Sequence, residues 1–264
     1  MPTNLIRCGM LAFSLVFAVC VTTPHVTATP PPTGVKLLVP AYFYPAGDGL
    51  KHWQSLIAVA GKVSVVAIAN PASGPGKAVD PAYTSVIKAA QTGKVTVIGY
   101  VSTRYAKRTA DEIKQDIDDW IRFYPTIQGL FFDETSDAAQ SDFYLDLANY
   151  ARKKINQAFT VTNPGTVCAE EYFSKQVADT ICIVEKGEGL EKYTPPVWAA
   201  KYSLARFYGL AYAVAKPAGM QTSLKAAPKK HLGYVFVTDD KLPNPWDTLP
   251  PYWDAEVNLV KTLK

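Results

Sequence analysis

The chain has 264 residues, of which 48% are hydrophobic, and it carries 27 basic residues against 23 acidic ones. This nearly balanced charge argues against a nucleic-acid partner, since such proteins carry a strongly basic surface. The length allows one large domain of the barrel type, with a substantial hydrophobic core.

The amino-terminal residues are typical of an export signal. Arg7 lies in a short polar region, an apolar stretch runs from Met10 to Val21, and small residues end at Ala28. The apolar stretch is too short to be a convincing membrane span. An alternative interpretation makes Cys20 a lipid-anchored amino terminus.

We therefore expect residues 1–28 to be removed as a signal peptide. A Pro-rich leader would follow over residues 29–34, and a single domain would occupy residues 35–264. The mature protein is expected to be secreted, either extracellular or in the cell wall, and to have no membrane contact.

Eight short runs rich in β-branched residues follow the leader, and each ends in polar, Gly or Pro residues. They are VKLLVPAYFYP from 35, VSVVAIANP from 63, KVTVIGYVS from 94, GLFFDE from 129, FTVTNPG from 159, TICIVEKGEG from 180, ARFYGLAYA from 205 and HLGYVFVTDD from 231. The nearly continuous Val and Ile residues predict strands that are covered on both faces, as in a parallel sheet wrapped by helices.

Helical patterns lie between these runs. Thr109 and Glu112 form a capping box, and Pro125 follows the apolar stripe that ends at Tyr124. Eight strand–helix units predict an α/β protein with a closed (β/α)8 barrel of the TIM type. An open doubly wound sheet is the alternative, but it usually has a glycine-rich phosphate loop. SGPGK lacks the spacing and the Ser/Thr of such a loop, and GEGLEK lacks the third glycine.

Two cysteines, Cys168 and Cys182, remain after signal removal. An even pair in an oxidising compartment predicts a disulfide bond, and two buried thiols are the alternative. We expect no metal site, because neither His52 nor His231 lies at ligand spacing from the cysteines.

Acidic residues end two of the predicted strands. Asp133 and Glu134 close the fourth run, and Glu185 follows the apolar part of the sixth. Catalytic groups of such barrels lie at the carboxyl ends of strands, so the three side chains predict an acid-dependent active site. Asp133 and Glu134 cannot both point inward if the strand stays regular. Capping of the next helix is the alternative for this pair.

Aromatic and polar residues are frequent at the other strand ends. Aromatic rings stack on sugars and polar groups bind sugar hydroxyls, so these residues predict a carbohydrate-binding cleft. The candidates are Tyr42, Tyr44, Asn70, Tyr100, Asn163, Tyr208, Tyr234 and Asp239, together with Trp246 in the loop after the eighth run. Any single tyrosine among them could instead belong to the core or the rim. Trp246 or Tyr44 is expected to line a sugar subsite rather than the core.

The motifs NPASGPG from Asn70, GYVSTRY from Gly99, GLFFDE from Gly129 and NPG from Asn163, together with Glu185, resemble the spherulation-specific family 4 proteins. The best-described members of that spherulin-4-like family form glycoside hydrolase family 135. The resemblance implies a secreted (β/α)8 barrel that cleaves α-1,4-linked N-acetylgalactosamine within galactosaminogalactan, a microbial exopolysaccharide, with retention. It also places the family's acidic triad on Asp133, Glu134 and Glu185.

The residues predict a two-carboxylate glycosidase that needs no cofactor and no metal, and the resemblance implies a galactosamine-containing polysaccharide as its partner. Asp133 would be the nucleophile, Glu185 the general acid and then base, and Glu134 a positioning group. A monomer is expected. Two alternatives are a non-catalytic coat or cell-wall protein that binds polysaccharide, and a hydrolase of deacetylated galactosamine polymer.

Overall fold

The computed structural model describes Met1 and residues 34–263. Eight parallel strands close a barrel in chain order, which confirms the predicted (β/α)8 fold. The strands are β1 (Lys36–Ala41), β2 (Val65–Ala69), β3 (Thr96–Ser102), β4 (Gly129–Asp133), β5 (Phe159–Thr162), β6 (Thr180–Gly187), β7 (Phe207–Tyr212) and β8 (Tyr234–Val237). Apart from Met1, the expected signal peptide lies outside the described residues, as does the Pro-rich leader up to residue 33.

The helices pack around the barrel, and their ends follow local sequence signals. The α3 helix begins after Thr109, whose side chain and that of Glu112 form the predicted capping box, and it ends before Pro125. Asp80 caps α2 by accepting hydrogen bonds from the Ala82 and Tyr83 amides. The helices are α1 (Gly47–Val59), α2 (Pro81–Thr92), α3 (Ala110–Phe123), α4 (Ser141–Lys154), α5 (Glu171–Ser174), α6 (Pro217–Ala226) and α7 (Trp253–Val260).

The connection between β6 and β7 differs from the regular pattern. The described chain there has only two short 3-10 helices, Val197–Lys201 and Leu204–Arg206. Pro195 and Pro196 precede the first of them. Proline lacks a backbone N–H and disfavours the helical conformation of the residue before it, so a regular helix cannot run through this segment.

Close packing of α3 against β3 positions a cleft residue. A Cβ atom on Gly99 would lie 2.5 Å from the Trp120 ring, so the strand needs glycine here. The Trp120 indole N–H donates to the Tyr100 carbonyl oxygen at 2.7 Å. Because successive residues of a strand point to opposite faces, Gly99 meets the helix layer and Tyr100 points into the barrel.

A β-bulge in β6 decides the orientation of Cys182. The register of β6 against β7 shifts between Cys182 and Val184, so Cys182 lies opposite Tyr208 and Glu185 lies opposite Leu210. Opposed residues of neighbouring strands share a face, and Tyr208 and Leu210 are two residues apart on β7. Cys182 and Glu185 therefore both face the barrel interior.

This orientation contradicts the predicted disulfide bond between Cys168 and Cys182. Both residues are buried free thiols. Regular alternation from an inward-facing Glu185 would have turned Cys182 outward toward the helix layer. The bulge turns Cys182 inward instead. The Cys182 thiol instead donates to the Val184 carbonyl at 3.5 Å, and burial raises the pKa of Cys168 to about 12.

Among the helices of the described residues, none combines the length and apolar character that a membrane crossing requires.

Candidate active site

The acidic residues at the ends of β4 and β6 are joined by the side-chain amide of the residue that follows β5. The Asn163 side-chain nitrogen donates to Asp133 Oδ1 at 2.9 Å and to Glu185 Oε2 at 2.8 Å. The two carboxylate oxygens are therefore no more than 5.7 Å apart, the sum of those two distances. At the angle of ~120° between the N–H bonds of an amide, the separation is ~5 Å, within the range of retaining glycosidases.

The backbone around Asn163 is held from both neighbouring strands. The Asn163 amide donates to the Phe132 carbonyl at 2.9 Å, and its carbonyl accepts from the Thr135 amide at 3.0 Å. Gly165, at φ +65°, accepts from the Glu185 amide at 2.8 Å. A left-handed φ favours glycine, which explains the glycine of the NPG motif. The loop after β5 thus positions both Asn163 and Glu185.

Glu134 reaches the same cleft because the strand does not stay regular. Its φ is +52°, a left-handed value that is uncommon for a residue with a side chain. The Ser102 hydroxyl donates to the Glu134 carboxylate, and the Thr103 hydroxyl donates to the Glu134 carbonyl at 2.8 Å. This irregular backbone resolves the conflict in the sequence, since Asp133 and Glu134 both line the cleft.

Helix capping does not explain this acidic pair. The residue that precedes α4 is Gln140, and it makes no side-chain capping bond. Asp133 and Glu134 lie several residues before the first turn of α4, and their side chains bond to Asn163, just after β5, and to Ser102 of β3 instead. The capping interpretation is therefore wrong.

Burial raises the pKa of both central carboxylates. For Glu185, desolvation raises the pKa to about 7, the Asn163 hydrogen bond opposes this, and the nearby Asp133 charge adds to it. Desolvation also raises the pKa of Asp133, while hydrogen bonds from Tyr100 and Asn163 lower it. A carboxyl group that titrates near neutral pH can both donate and accept a proton, which general acid–base catalysis requires.

Two cavities meet at Asp133, Asn163 and Glu185. The first, here called the Trp246 cavity, has a volume of about 490 Å³ and extends over Tyr42, Asn70, Tyr100, Leu210 and Trp246. The second, the Tyr105 cavity, has a volume of about 340 Å³ and extends over Tyr105, Glu134, Pro164, Gly165, Tyr212 and Leu242. No Lys, Arg or His of the described chain lines either cavity. The two cavities together form an acidic, aromatic cleft that contains the carboxylate pair.

Five of the predicted carbohydrate-binding residues line this cleft, namely Tyr42, Asn70, Tyr100, Asn163 and Trp246. Both N–H groups of Asn163 are used by the carboxylates, so the residue positions the acids in addition to lining the cavity. Tyr42 and Tyr100 pack edge to face, with ring centroids 5.6 Å apart.

Four other candidates line neither cavity. Tyr208 is fully buried inside the barrel, where its hydroxyl donates to the Leu38 carbonyl at 2.6 Å. Tyr234 begins β8, so its ring lies at the amino end of the barrel beside Phe159 and Lys36. Tyr234 is the first residue of β8, whereas the acidic residues lie at the carboxyl ends of their strands, so Tyr234 lies at the opposite end of the barrel from the site.

Tyr44 and Asp239 lie on the carboxyl-end side of the barrel but outside both cavities. Tyr44 is 53% exposed and packs edge to face on Tyr83, 5.9 Å between centroids. Asp239 lies just beyond β8, in a segment whose Thr238 and Asp240 carbonyls accept hydrogen bonds from Val214 and Ala213. These backbone bonds hold the segment beside the end of β7, away from the carboxylate pair.

Trp246 has a second role that its loop position did not predict. The side chain is only 7% exposed, and its ring contacts Phe236 and Tyr212 with centroids 6.1 and 6.2 Å away. Trp246 therefore belongs to the core cluster as well as to the cavity wall.

The Trp246→Ala variant is expected to lose both substrate affinity and stability. Removal of a buried tryptophan costs about 3 kcal/mol or more in free energy of unfolding, because the cavity left behind cannot fully close. Binding of carbohydrate should weaken about tenfold, one ring contact having been lost. Trp246→Phe should keep most of both properties. An unchanged melting temperature in the Ala variant would contradict the core assignment.

The sequence candidates omitted several residues that line the site. Ser102 orients Glu134, and Tyr105 and Leu242 line the Tyr105 cavity. Tyr105 follows β3 within the GYVSTRY motif, so the rule that selected Tyr42 and Tyr44 after β1 could also have selected Tyr105. Leu242 has no comparable signal, since a lone leucine in a loop does not indicate a site.

No group of three or more His, Cys, Asp or Glu side chains within the described part of the chain has the arrangement of a metal site.

A known protein family and one of its relatives match nearly the whole barrel. The model of a family described as spherulation-specific family 4 matches residues 36–260. Spherulin-4 of Physarum polycephalum is 29% identical over 252 residues, which cover 90% of this chain and 74% of that protein.

Solved structures show the same architecture. The crystal structure of Sph3 from Aspergillus clavatus in complex with GalNAc superposes with a TM-score of 0.71 at 24% identity, over 87% of this chain and 98% of that one. A cyclic α-maltosyl-(1→6)-maltose hydrolase from Arthrobacter globiformis superposes with a TM-score of 0.56 at 9% identity, over 87% and 81% of the two chains. At these identities the likeness concerns the fold.

Proposed function

The chain belongs to the spherulation-specific family 4, and from that membership and the geometry of its acidic cleft we propose that it is a secreted glycoside hydrolase. Its substrate would be an exopolysaccharide of the galactosaminogalactan type, cut within the chain at α-1,4-linked N-acetylgalactosamine. The GalNAc bound in the related Sph3 structure supports a galactosamine-containing substrate. Two cavities extend from the acids, with room for sugar units beyond the one that is cut, and this supports cleavage within the polymer.

One observation carries the proposal: a single Asn163 nitrogen holds Asp133 and Glu185 with their oxygens no more than 5.7 Å apart. An inverting enzyme needs room for a water molecule between sugar and base, with carboxyls ~6.5–9.5 Å apart. The shorter separation supports a retaining mechanism through a covalent glycosyl-enzyme intermediate.

In the first step, a carboxylate oxygen of Asp133 attacks the anomeric carbon while the glycosidic C–O bond breaks. Glu185 gives its proton to the leaving oxygen and becomes a carboxylate. In the second step, Glu185 takes a proton from water, and the resulting hydroxide equivalent displaces Asp133 from the anomeric carbon. Glu134, oriented by Ser102, binds a sugar hydroxyl or orients Asp133.

A deacetylated, cationic galactosamine polymer is the second candidate substrate. Three carboxylates line the cleft, and the described chain contributes no cationic side chain to it. Such a surface attracts positively charged sugars and raises their local concentration.

The test is release of reducing ends from galactosamine-containing polymer by the protein without residues 1–28. We expect release that falls as pH rises through about 7, because Glu185 must be protonated to act as the acid. Mass spectrometry of products from partly deacetylated polymer would distinguish the two substrates, and the anomer first formed would report retention. Binding without release of reducing ends would instead support the non-catalytic coat or cell-wall protein.

A further inference from the structure

Tyr105 lies beside the carboxylate pair, in the cavity that shares Asp133, Asn163 and Glu185 with the Trp246 cavity. It lines the Tyr105 cavity together with Glu134 and Tyr212. Its side chain is 57% exposed, a large value for an aromatic residue. Single exposed aromatic residues are common on protein surfaces, so exposure by itself does not indicate a binding role.

The backbone that carries Tyr105 supplies an independent observation. Arg104, Tyr105 and Ala106 have φ values of +48°, +55° and +60°. Three consecutive non-glycine residues in the left-handed region are costly, since each Cβ atom crowds its own backbone. Left-handed residues other than glycine normally occur singly, so this turn must be held by its surroundings.

The hydrogen bonds that hold the turn come from the catalytic strand end. The Tyr105 amide donates to the Glu134 carbonyl at 2.6 Å, and the Thr103 hydroxyl donates to the carbonyls of Asp133 and Glu134 at 2.9 and 2.8 Å. Glu134 is itself left-handed. Two strained segments are thus joined at the acidic pair. Strain that neighbouring structure enforces in this way is characteristic of functional sites.

We propose that the Tyr105 cavity is a second sugar subsite, in which the exposed ring of Tyr105 stacks on the apolar face of a pyranose unit beside the scissile bond. Glu134 accepts a hydrogen bond from a hydroxyl or amino group of the same unit. An aromatic ring beside a carboxylate fits a sugar, whose faces are apolar and whose edges carry donors. The strained turn holds the ring over the cavity before substrate arrives, which reduces the ordering cost of binding.

This inference rests on the proposed function, because it assigns a part of the same substrate. Affinity for galactosamine oligosaccharides is measured in the Glu185→Gln background, where the substrate is not consumed. In that background Tyr105→Ala is expected to weaken binding at least tenfold, and Tyr105→Phe to stay within about twofold to threefold because the ring remains. Tyr105→Leu should behave like the Ala variant, since it keeps bulk without a planar face.

Tyr150→Ala is the matched control for loss of a tyrosine. Tyr150 lies on α4, where its hydroxyl contacts Asp118 and its ring contacts Lys114 and Lys154, all outside the cleft lining. Its substitution should leave affinity unchanged. Melting temperatures of the Tyr105 variants show whether the turn is intact, and the Phe and Leu variants retain the test if the Ala variant unfolds.

The outcomes separate the two proposals. If the parent cleaves the polymer and the Tyr105 variants bind as tightly as their background, the subsite assignment is overturned and the proposed function stands. If the Phe variant is as weak as the Ala variant, ring stacking is excluded. A parent that neither binds nor cleaves galactosamine-containing sugars overturns both.

Discussion

Asp133→Asn and Glu185→Gln should each lower the turnover number by roughly 10²- to 10⁴-fold, while the folded structure is retained. Asn removes the nucleophilic carboxylate, and Gln removes the proton that the leaving group needs. Both substitutions keep side-chain volume, so the packing around Asn163 should survive. Reducing-end release at saturating substrate is the measurement. Glu134→Gln should lower the rate less, since Glu134 positions rather than reacts.

The same two variants should be as stable as the parent or more stable. Both carboxyls are largely desolvated, and the ionised form is the one that burial disfavours. A neutral isostere avoids that cost. Functional groups of this kind are commonly held at the expense of stability.

The stability gain of Glu185→Gln should depend on pH in a defined direction. The folded-state pKa of Glu185 is raised from 4.5 to about 7. The folded state therefore binds this proton more tightly than the unfolded state does, and protonation of Glu185 stabilises the parent. This stabilisation is complete below pH 4.5 and is lost as pH rises through 7. The variant should match the parent at low pH and exceed it above pH 7, by up to about 3 kcal/mol in free energy of unfolding.

Thermal melting of parent and variant across this pH range is the measurement. A parent whose stability does not fall relative to Glu185→Gln between pH 4.5 and 7 would show that Glu185 is not desolvated. Polymer cleavage that survives substitution of both Asp133 and Glu185 would defeat the assignment of the catalytic pair.

Asn163→Ala should lower the turnover number by roughly 100-fold and move the pH optimum upward. The amide fixes the relative position of both acids, and a misplacement of ~1 Å can cost such a factor. Its hydrogen bonds also lower the pKa of Asp133 and of Glu185. Without them both pKa values rise, so both limbs of the pH–rate profile should shift to higher pH.

Asn70→Ala is the matched control. Asn70 lines the Trp246 cavity, but its side-chain oxygen accepts a hydrogen bond from the Gly74 amide at 3.0 Å and contacts neither acid. Its loss should raise KM without moving either pH limb. If Asn163→Ala also changes only KM, Asn163 is a substrate-binding residue and not a positioning residue.

Much of the barrel follows from local sequence. The eight strands, the capping box at Thr109 and the end of α3 before Pro125 depend on side-chain periodicity and on contacts between residues a few positions apart. The acids at the ends of β4 and β6 could be located for the same reason. The carboxyl ends of all parallel strands lie on one face of the barrel, so their order in the chain suffices to bring them together.

Orientation within the site was decided by tertiary structure. The bulge in β6 brings Cys182 to the same face as Glu185, and the left-handed backbone at Glu134 brings both members of the Asp133–Glu134 pair into the cleft. The orientation of Tyr105 likewise depends on a left-handed backbone. Each is a change at one or a few backbone positions that reverses which way a side chain points, and hydrogen bonds from distant strands stabilise it. The sequence therefore determined which strand ends meet at the cleft, while long-range backbone contacts determined which side chains face it.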